Sequence, residues 1–421
     1  MPAETTATAL RYPARLTTRL TTGLRRSAAR VEAATPPSRD RALDGLRALA
    51  LLSVPVGHWM LGGFTTDADG VLHNASPLSS LGFFAPLSWV LQMLGVFFLV
   101  GGHSSAASLE RARARGTGTA GWLRGRVLRL LRPVLGVAAV WALLVPLLRA
   151  AGVPDGTVRT GAVLVVQPLW YIGVYLVLTA LTPLCAAAAR RLGGWAALPL
   201  LGSVAAVDLL RYGPWSAAMP SWLALLNLLP GWLFGYQLGV CWARGRIGRP
   251  GAALLLGGGA ALFAVLLLVF HYPASMVGVP GVERTNSHPP SLLVLALAAV
   301  QCGAAVLLRD RIGRLLRRPA LWLPVVAVNL SAMTIFCWHQ TAMFAVALPG
   351  SALGAVPGLI GTPDSLGWVL GRLAWLPVFG LVLAAIGRYA RRFDGPWPSR
   401  GWRAVAGAGA ALFAVYALGV V

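Results

Sequence analysis

The sequence is poor in charge. Only 12% of its 421 residues are charged, against about a quarter in a typical soluble domain. With 57% hydrophobic residues and a mean hydropathy of +0.69, that deficit excludes an ordinary water-soluble enzyme. Lysine is absent: all 36 basic residues are arginine, against 13 acidic ones, for a formal charge of +23. Cysteine is scarce as well. Cys185, Cys241, Cys302 and Cys337 all fall in apolar stretches without metal-ligand spacing, so neither a disulfide framework nor a metal site is expected. The composition also excludes a disordered chain and a collagen. What remains is an all-α, polytopic transmembrane helical bundle.

What the chain has in abundance is apolar sequence of membrane-spanning length. A span needs about 20 mostly apolar residues. The candidates are 43–62, 85–104, 127–149, 161–186, 195–210, 221–242, 252–271, 291–308, 321–348, 368–387 and 403–421. Ten of these form a core within a membrane domain over 39–390, and 391–421 adds an eleventh, C-terminal helix. Residues 1–38, rich in Arg, Thr, Ala and Pro, lack the apolar core of a signal peptide and read as a flexible cytoplasmic tail. Tail arginines on anionic headgroups would contribute about 1 kcal/mol each.

Alternating the sides from a cytoplasmic N-terminus puts 31 arginines inside and 5 outside, the latter being Arg149, Arg159, Arg211, Arg284 and Arg372. This is the positive-inside pattern of a plasma-membrane protein. The basic charge is therefore topological. The expected partner is the lipid bilayer, with no nucleic acid.

Polar groups within apolar spans are costly and mark chemistry. In the first helix Arg47 and His58 lie eleven residues apart, which returns to within about 20° of the same face some 16 Å along the axis. Asp44 precedes Arg47 by three, so one stripe carries a carboxylate, a guanidinium and an imidazole. Taken alone these are interfacial charges and a hydrogen-bonded interior histidine; together they suit catalysis, imidazole being the usual general base.

His103 ends the second span, where an imidazole can also simply face water. Arg126, Arg129 and Arg132 recur at every third residue into the third helix and offer several donors to a phosphate. Further candidates are Trp170 and Tyr171 in the fourth span, Asn286 before the eighth, and His339 in the ninth, where Gln340 and Thr341 follow at the level of His58. Trp170 and Tyr171 equally suit packing. Asp208, three before Arg211, reads as a local ion pair.

These segments resemble the acyltransferase-3 family, integral-membrane O-acyltransferases that modify sugars, lipopolysaccharide, peptidoglycan and macrolides. The resemblance rests on Asp44-Gly-Leu-Arg47 with ten residues before His58, Phe97-Phe98 with Gly101, Arg129-x-x-Arg132-Pro133, Leu169-Trp170-Tyr171 continuing to Pro183, and Trp338-His339. The chain departs where the family often has Ser-Gly, showing Gly101-Gly102-His103. The resemblance implies that His58 is the catalytic histidine and Arg47 its partner in the motif. It also implies that cytosolic acyl-CoA is the co-substrate, with no bound cofactor, and that a hydroxylated acceptor of the bacterial cell envelope is O-acetylated or otherwise acylated, with Trp170, Tyr171, Asn286 and His339 on the acceptor side. A transporter or flippase is the alternative from a different class, and the lack of an evident internal repeat counts against it. A structural membrane protein without chemistry would leave the aligned Asp44, Arg47 and His58 without a role.

Overall fold

The computed structural model describes residues 23, 25–279, 282, 284–393, 395 and 400–419. Helices occur at every candidate span. They are α1 (Arg41–Leu61), α2 (Ala85–Leu91), α3 (Leu94–Ala114), α4 (Thr119–Ala150), α5 (Asp155–Val166), α6 (Trp170–Ala180), α7 (Thr182–Leu192) and α8 (Leu198–Tyr212). After them come α9 (Leu228–Ala243), α10 (Arg249–Leu268), α11 (Leu292–Leu315), α12 (Pro319–Leu330), α13 (Ala332–Ser351), α14 (Leu366–Ala390) and α15 (Arg400–Leu418). Two short antiparallel strands, β1 (Gly63–Thr66) and β2 (Leu72–Ala75), form a hairpin directly after α1.

By length and composition, eight helical stretches among the described residues can cross a membrane, or nine with one broken pair. The protein is thus a multi-pass helical bundle, with fewer qualifying spans than the ten plus one expected. Two candidates fall short for visible reasons. Asp44, Arg47 and His58 lower the hydropathy of α1, and the described apolar stretch of the last helix, Ala406–Leu418, is shorter than a span. Helix α1 nevertheless packs against α3, α11, α12, α13 and α14, so its polar groups face protein and cavities.

Two expected spans have different boundaries. The run 161–186 is divided at Leu181, and α7 starts afresh at Thr182-Pro183, where proline suits a helix start because it has no N–H to leave unpaired. The run 321–348 is broken at Ser331, where α12 and α13 meet at 77°. Asn329 there donates to the Asp44 carbonyl at 2.9 Å, and Ser331 accepts from Arg391 at 2.5 Å. Polar side chains at the break thus bind neighbouring elements.

The stretch expected as a flexible tail lies outside the described residues over 1–22 and at 24. Its described part is ordered on the bundle. Residues 25–33 are helical, Glu32 pairs with Arg41 at 2.6 Å, and the Trp322 indole donates to Thr35 at 2.8 Å.

Close helix contacts set the frame. Helices α3 and α9 cross where Gly102 meets the Tyr236 carbonyl and Gly239 meets the Leu99 carbonyl. A Cβ at either glycine would collide with backbone, so no side chain fits there. Helix α15 lies along α4, placing Phe413 beside Trp141.

Candidate active site

Helix α1 begins at the arginine-rich end of the bundle, where Asp40 caps it by accepting the Leu43 N–H at 3.0 Å. At that basic end lies a cavity of about 1020 Å³, lined by Arg39, Arg47, Arg111, Arg126 and Arg129, with Asp40, Asp44 and His103. Five guanidinium groups against two carboxylates make its wall cationic. Asp44 is buried and held chiefly by Arg39, at 2.5 and 2.9 Å, with Arg47 at 3.5 Å. Arg47 donates to Ser104 at 2.7 Å.

Arg126 donates to Ser105 at 3.2 Å and Ser108 at 2.7 Å, which fixes its guanidinium against α3. His103 packs on Trp242 with ring centres 4.8 Å apart. Arg132 is the exception: it does not line this cavity, because six residues on from Arg126 the helix has turned it about 120° away around the axis.

The other end of α1 opens to a second cavity, of about 460 Å³, beneath the β-hairpin. Among the described residues lining it, none is Asp, Glu, Lys or Arg. His58 lines it, with Nδ1 2.9 Å from the Gln340 amide nitrogen on α13. Behind them the His339 ring meets that of His58 edge-on at 5.1 Å, and Trp59 donates to the His339 carbonyl at 3.1 Å. These contacts fasten α1 to α13 at the imidazole. Trp170, His288 and Gln167 complete the rim opposite, with the Trp170 and His288 rings 4.8 Å apart.

Tyr171 and Phe336 line both cavities, their ring centres 5.5 Å apart, and form the partition between them. The stripe on α1 is therefore distributed over two chambers: Asp44 and Arg47 in the basic one, His58 in the uncharged one.

Two acceptor-side candidates do not line the uncharged cavity. Asn286 is buried with its amide donating to the Pro273 and Ser275 carbonyls, at 2.6 and 2.8 Å, and its oxygen accepting from Ser291 at 2.7 Å. It ties the loop before α11, while His288, two residues on, reaches the cavity. The His339 ring is buried behind His58, with Nδ1 bonded to the Phe336 carbonyl at 2.7 Å. The pair Asp208–Arg211 is long, at 3.7 Å. Asp208 chiefly accepts from Asn227 and the Leu292 N–H at 2.8 Å each, and from Tyr272 at 3.0 Å.

Gln340, His288 and Arg39 line the candidate cavities although sequence reasoning did not select them. A weak signal existed for Gln340, which directly follows His339, but adjacent helical residues point about 100° apart and only packing decides which faces the cavity. Arg372, counted among the outer arginines, is fully buried and donates to the Gly62 carbonyl at the end of α1.

A helical bundle enclosing one polar helix between a cationic and an uncharged chamber is the frame of an integral-membrane protein with a candidate site inside it. Residues 40–387 match the family described as an acyltransferase domain, which is most of the chain. The chain belongs to the acyltransferase-3 family and is a multi-pass membrane acyltransferase. Searches among curated proteins and among solved structures return no match.

Proposed function

We propose that the protein transfers an acyl group from cytosolic acyl-CoA to a hydroxyl of a carbohydrate, glycolipid or glycosylated metabolite. The observation that carries this reading is the contrast on α1: guanidinium groups face a cationic cavity at one end, and an imidazole faces an uncharged cavity at the other. The cationic wall suits the phosphates of CoA, which bind guanidinium by charge-assisted, bidentate hydrogen bonds. An uncharged lining with Trp170, Gln167 and His288 suits a neutral, hydroxyl-bearing acceptor, since an anion or cation would be left unpaired in it.

In the reaction the acyl-pantetheine arm extends past Tyr171 and Phe336 towards His58. The imidazole accepts the hydroxyl proton as that oxygen bonds to the thioester carbonyl carbon. The carbon–sulfur bond then breaks and the proton passes to sulfur, leaving an ester and free CoA. Asp44 and Arg47 order the entrance, Arg126 and Arg129 contribute to the CoA surface with His103, and the membrane of residence is the plasma membrane with the N-terminus inside.

The test is transfer of radiolabel from acetyl-CoA to membrane glycans in proteoliposomes. His58→Ala at equal abundance should lower the rate by about 10²–10⁴-fold; full activity would remove His58 as the base. A carrier also has cavities back to back across a partition. Movement of a hydrophobic substrate without acyl-CoA consumption would establish that second reading instead.

A further inference from the structure

The hydrogen bond at His58 decides which ring nitrogen can do chemistry. Nδ1 is the ring atom paired with Gln340, which leaves Nε2 for the cavity. A side-chain amide presents nitrogen or oxygen to the same partner by a half-turn, and the two choices have opposite chemical consequences. With nitrogen forward, Gln340 donates to Nδ1, the ring proton must sit on Nε2, and the imidazole has no lone pair left for a hydroxyl proton. The amide oxygen is then buried without a donor among the described residues. With oxygen forward, that oxygen accepts from Nδ1–H, and Nε2 carries a free lone pair.

We propose that Gln340 is a positioning residue for the acyl transfer, presenting its amide oxygen to His58 Nδ1–H and so fixing the tautomer whose Nε2 is the base. The inference rests on the acyl-transfer reading for its consequence, but not for its tautomer. The pair is a neutral counterpart of a histidine–carboxylate couple: it orients the ring without placing a charge beside it. Among the described residues the surroundings supply no alternative orienting acid. The groups packed around His58 that can titrate or carry charge are His339 on α13, His288 on the loop before α11, Tyr171 on α6, and Arg372 on α14, which binds the Gly62 carbonyl. None is a carboxylate. The backbone at position 340 is held by the Trp59 bond to the adjacent His339 carbonyl and, one residue on, by Trp141, which donates to Thr341 at 3.0 Å.

The deciding measurement is solid-state NMR of the full protein in liposomes with its histidine nitrogens isotopically labelled, His58 among the 6 histidines being assigned with His58→Asn. The expected result is a neutral His58 ring protonated at Nδ1, retained in Gln340→Glu and lost in Gln340→Leu. A ring protonated at Nε2 in the unaltered protein would overturn the proposal. Radiolabelled acetyl-CoA reads the consequence separately. Gln340→Leu should lower kcat on the order of ten- to a hundredfold with the KM for acetyl-CoA unchanged. Gln340→Glu should keep the tautomer and move the acid limb of the pH–rate profile upward, because a carboxylate favours the imidazolium. A purely structural role would leave that limb in place, and an unmoved limb in a folded Gln340→Glu protein counts against the proposal. If the unaltered protein shows the expected tautomer but transfers no label, the acyl-transfer reading fails while the tautomer assignment stands.

Discussion

The two ends of α1 solve opposite problems within 21 residues. At the basic end, Asp44 and Arg47 line a wide cavity where five guanidinium groups outnumber two carboxylates. At the hairpin end, His58 lines a smaller cavity whose described lining carries no formal charge. Recognition of an anion gains from concentrated like charges, because the ligand neutralises them. Proton abstraction gains from a desolvated wall that leaves one lone pair as the strongest acceptor present. Tyr171 and Phe336 keep the two settings apart.

The largest effect separating them is expected at His58. His58→Ala should lower kcat by about 10²–10⁴-fold while acetyl-CoA binding to the cationic chamber is kept, measured by titration of the variant with acetyl-CoA. Loss of both together would mean that the chambers are one site.

Arginine replacements should give the reverse pattern. Arg129→Ala should raise the KM for acetyl-CoA on the order of tenfold, the loss of one charge-assisted hydrogen bond. Arg132→Ala should change it little, since Arg132 does not line the cavity. Equal effects at both positions would show that the whole arginine row binds CoA.

A third comparison sets Asn286 against His288. Asn286→Ala should lower stability by about 1–3 kcal/mol through its three broken hydrogen bonds, seen as a lower Tm. His288→Ala should leave the Tm almost unchanged and weaken acceptor use, because His288 faces the cavity.

The smallest effect concerns the hairpin over the uncharged cavity. The His73 side chain and the backbone N–H groups of Val71 and Asp69 hold the Asp67 carboxyl below its usual range. A depressed carboxyl stabilises the fold above its unfolded pKa, and that contribution is lost as pH falls through the folded value. The protection factor of the Val71 amide, its exchange corrected for the intrinsic pH dependence, should therefore fall on acidification, and Asp67→Asn should remove that fall. Asn74, Ala75 and Ser76 next in the chain line the cavity, so the same variant tests whether the hairpin's order matters to the acceptor.

Much of this was legible from residue order. Helices stand at each apolar run, and the Asp44, Arg47 and His58 stripe lies along one helix as its spacing required. Where the reading departed from the molecule, the cause was a contact distant in sequence. Ser331 breaks an apolar run because Asn329 and Ser331 bind Asp44 and Arg391, residues far away in the chain. Asn286 read as an acceptor-side residue, yet carbonyls at 273 and 275 fold back onto its amide. Asp44 shares a stripe of the helix with Arg47, yet Arg39, outside the helix, comes closer to it. Periodicity describes one helix at a time and carries no information on what packs against it.

By itself the sequence determined a many-helix membrane protein, because hydrophobic length and arginine placement are properties of the chain alone, and its motifs carried the resemblance to an acyltransferase family. Only the tertiary structure decided that Arg47 and His58 serve different chambers, that Tyr171 and Phe336 divide them, and that Gln340 rather than His339 meets the imidazole at Nδ1. Those facts depend on how α1, α6 and α13 are rotated against one another. That rotation is set by packing across the bundle, which no local stretch of residues encodes.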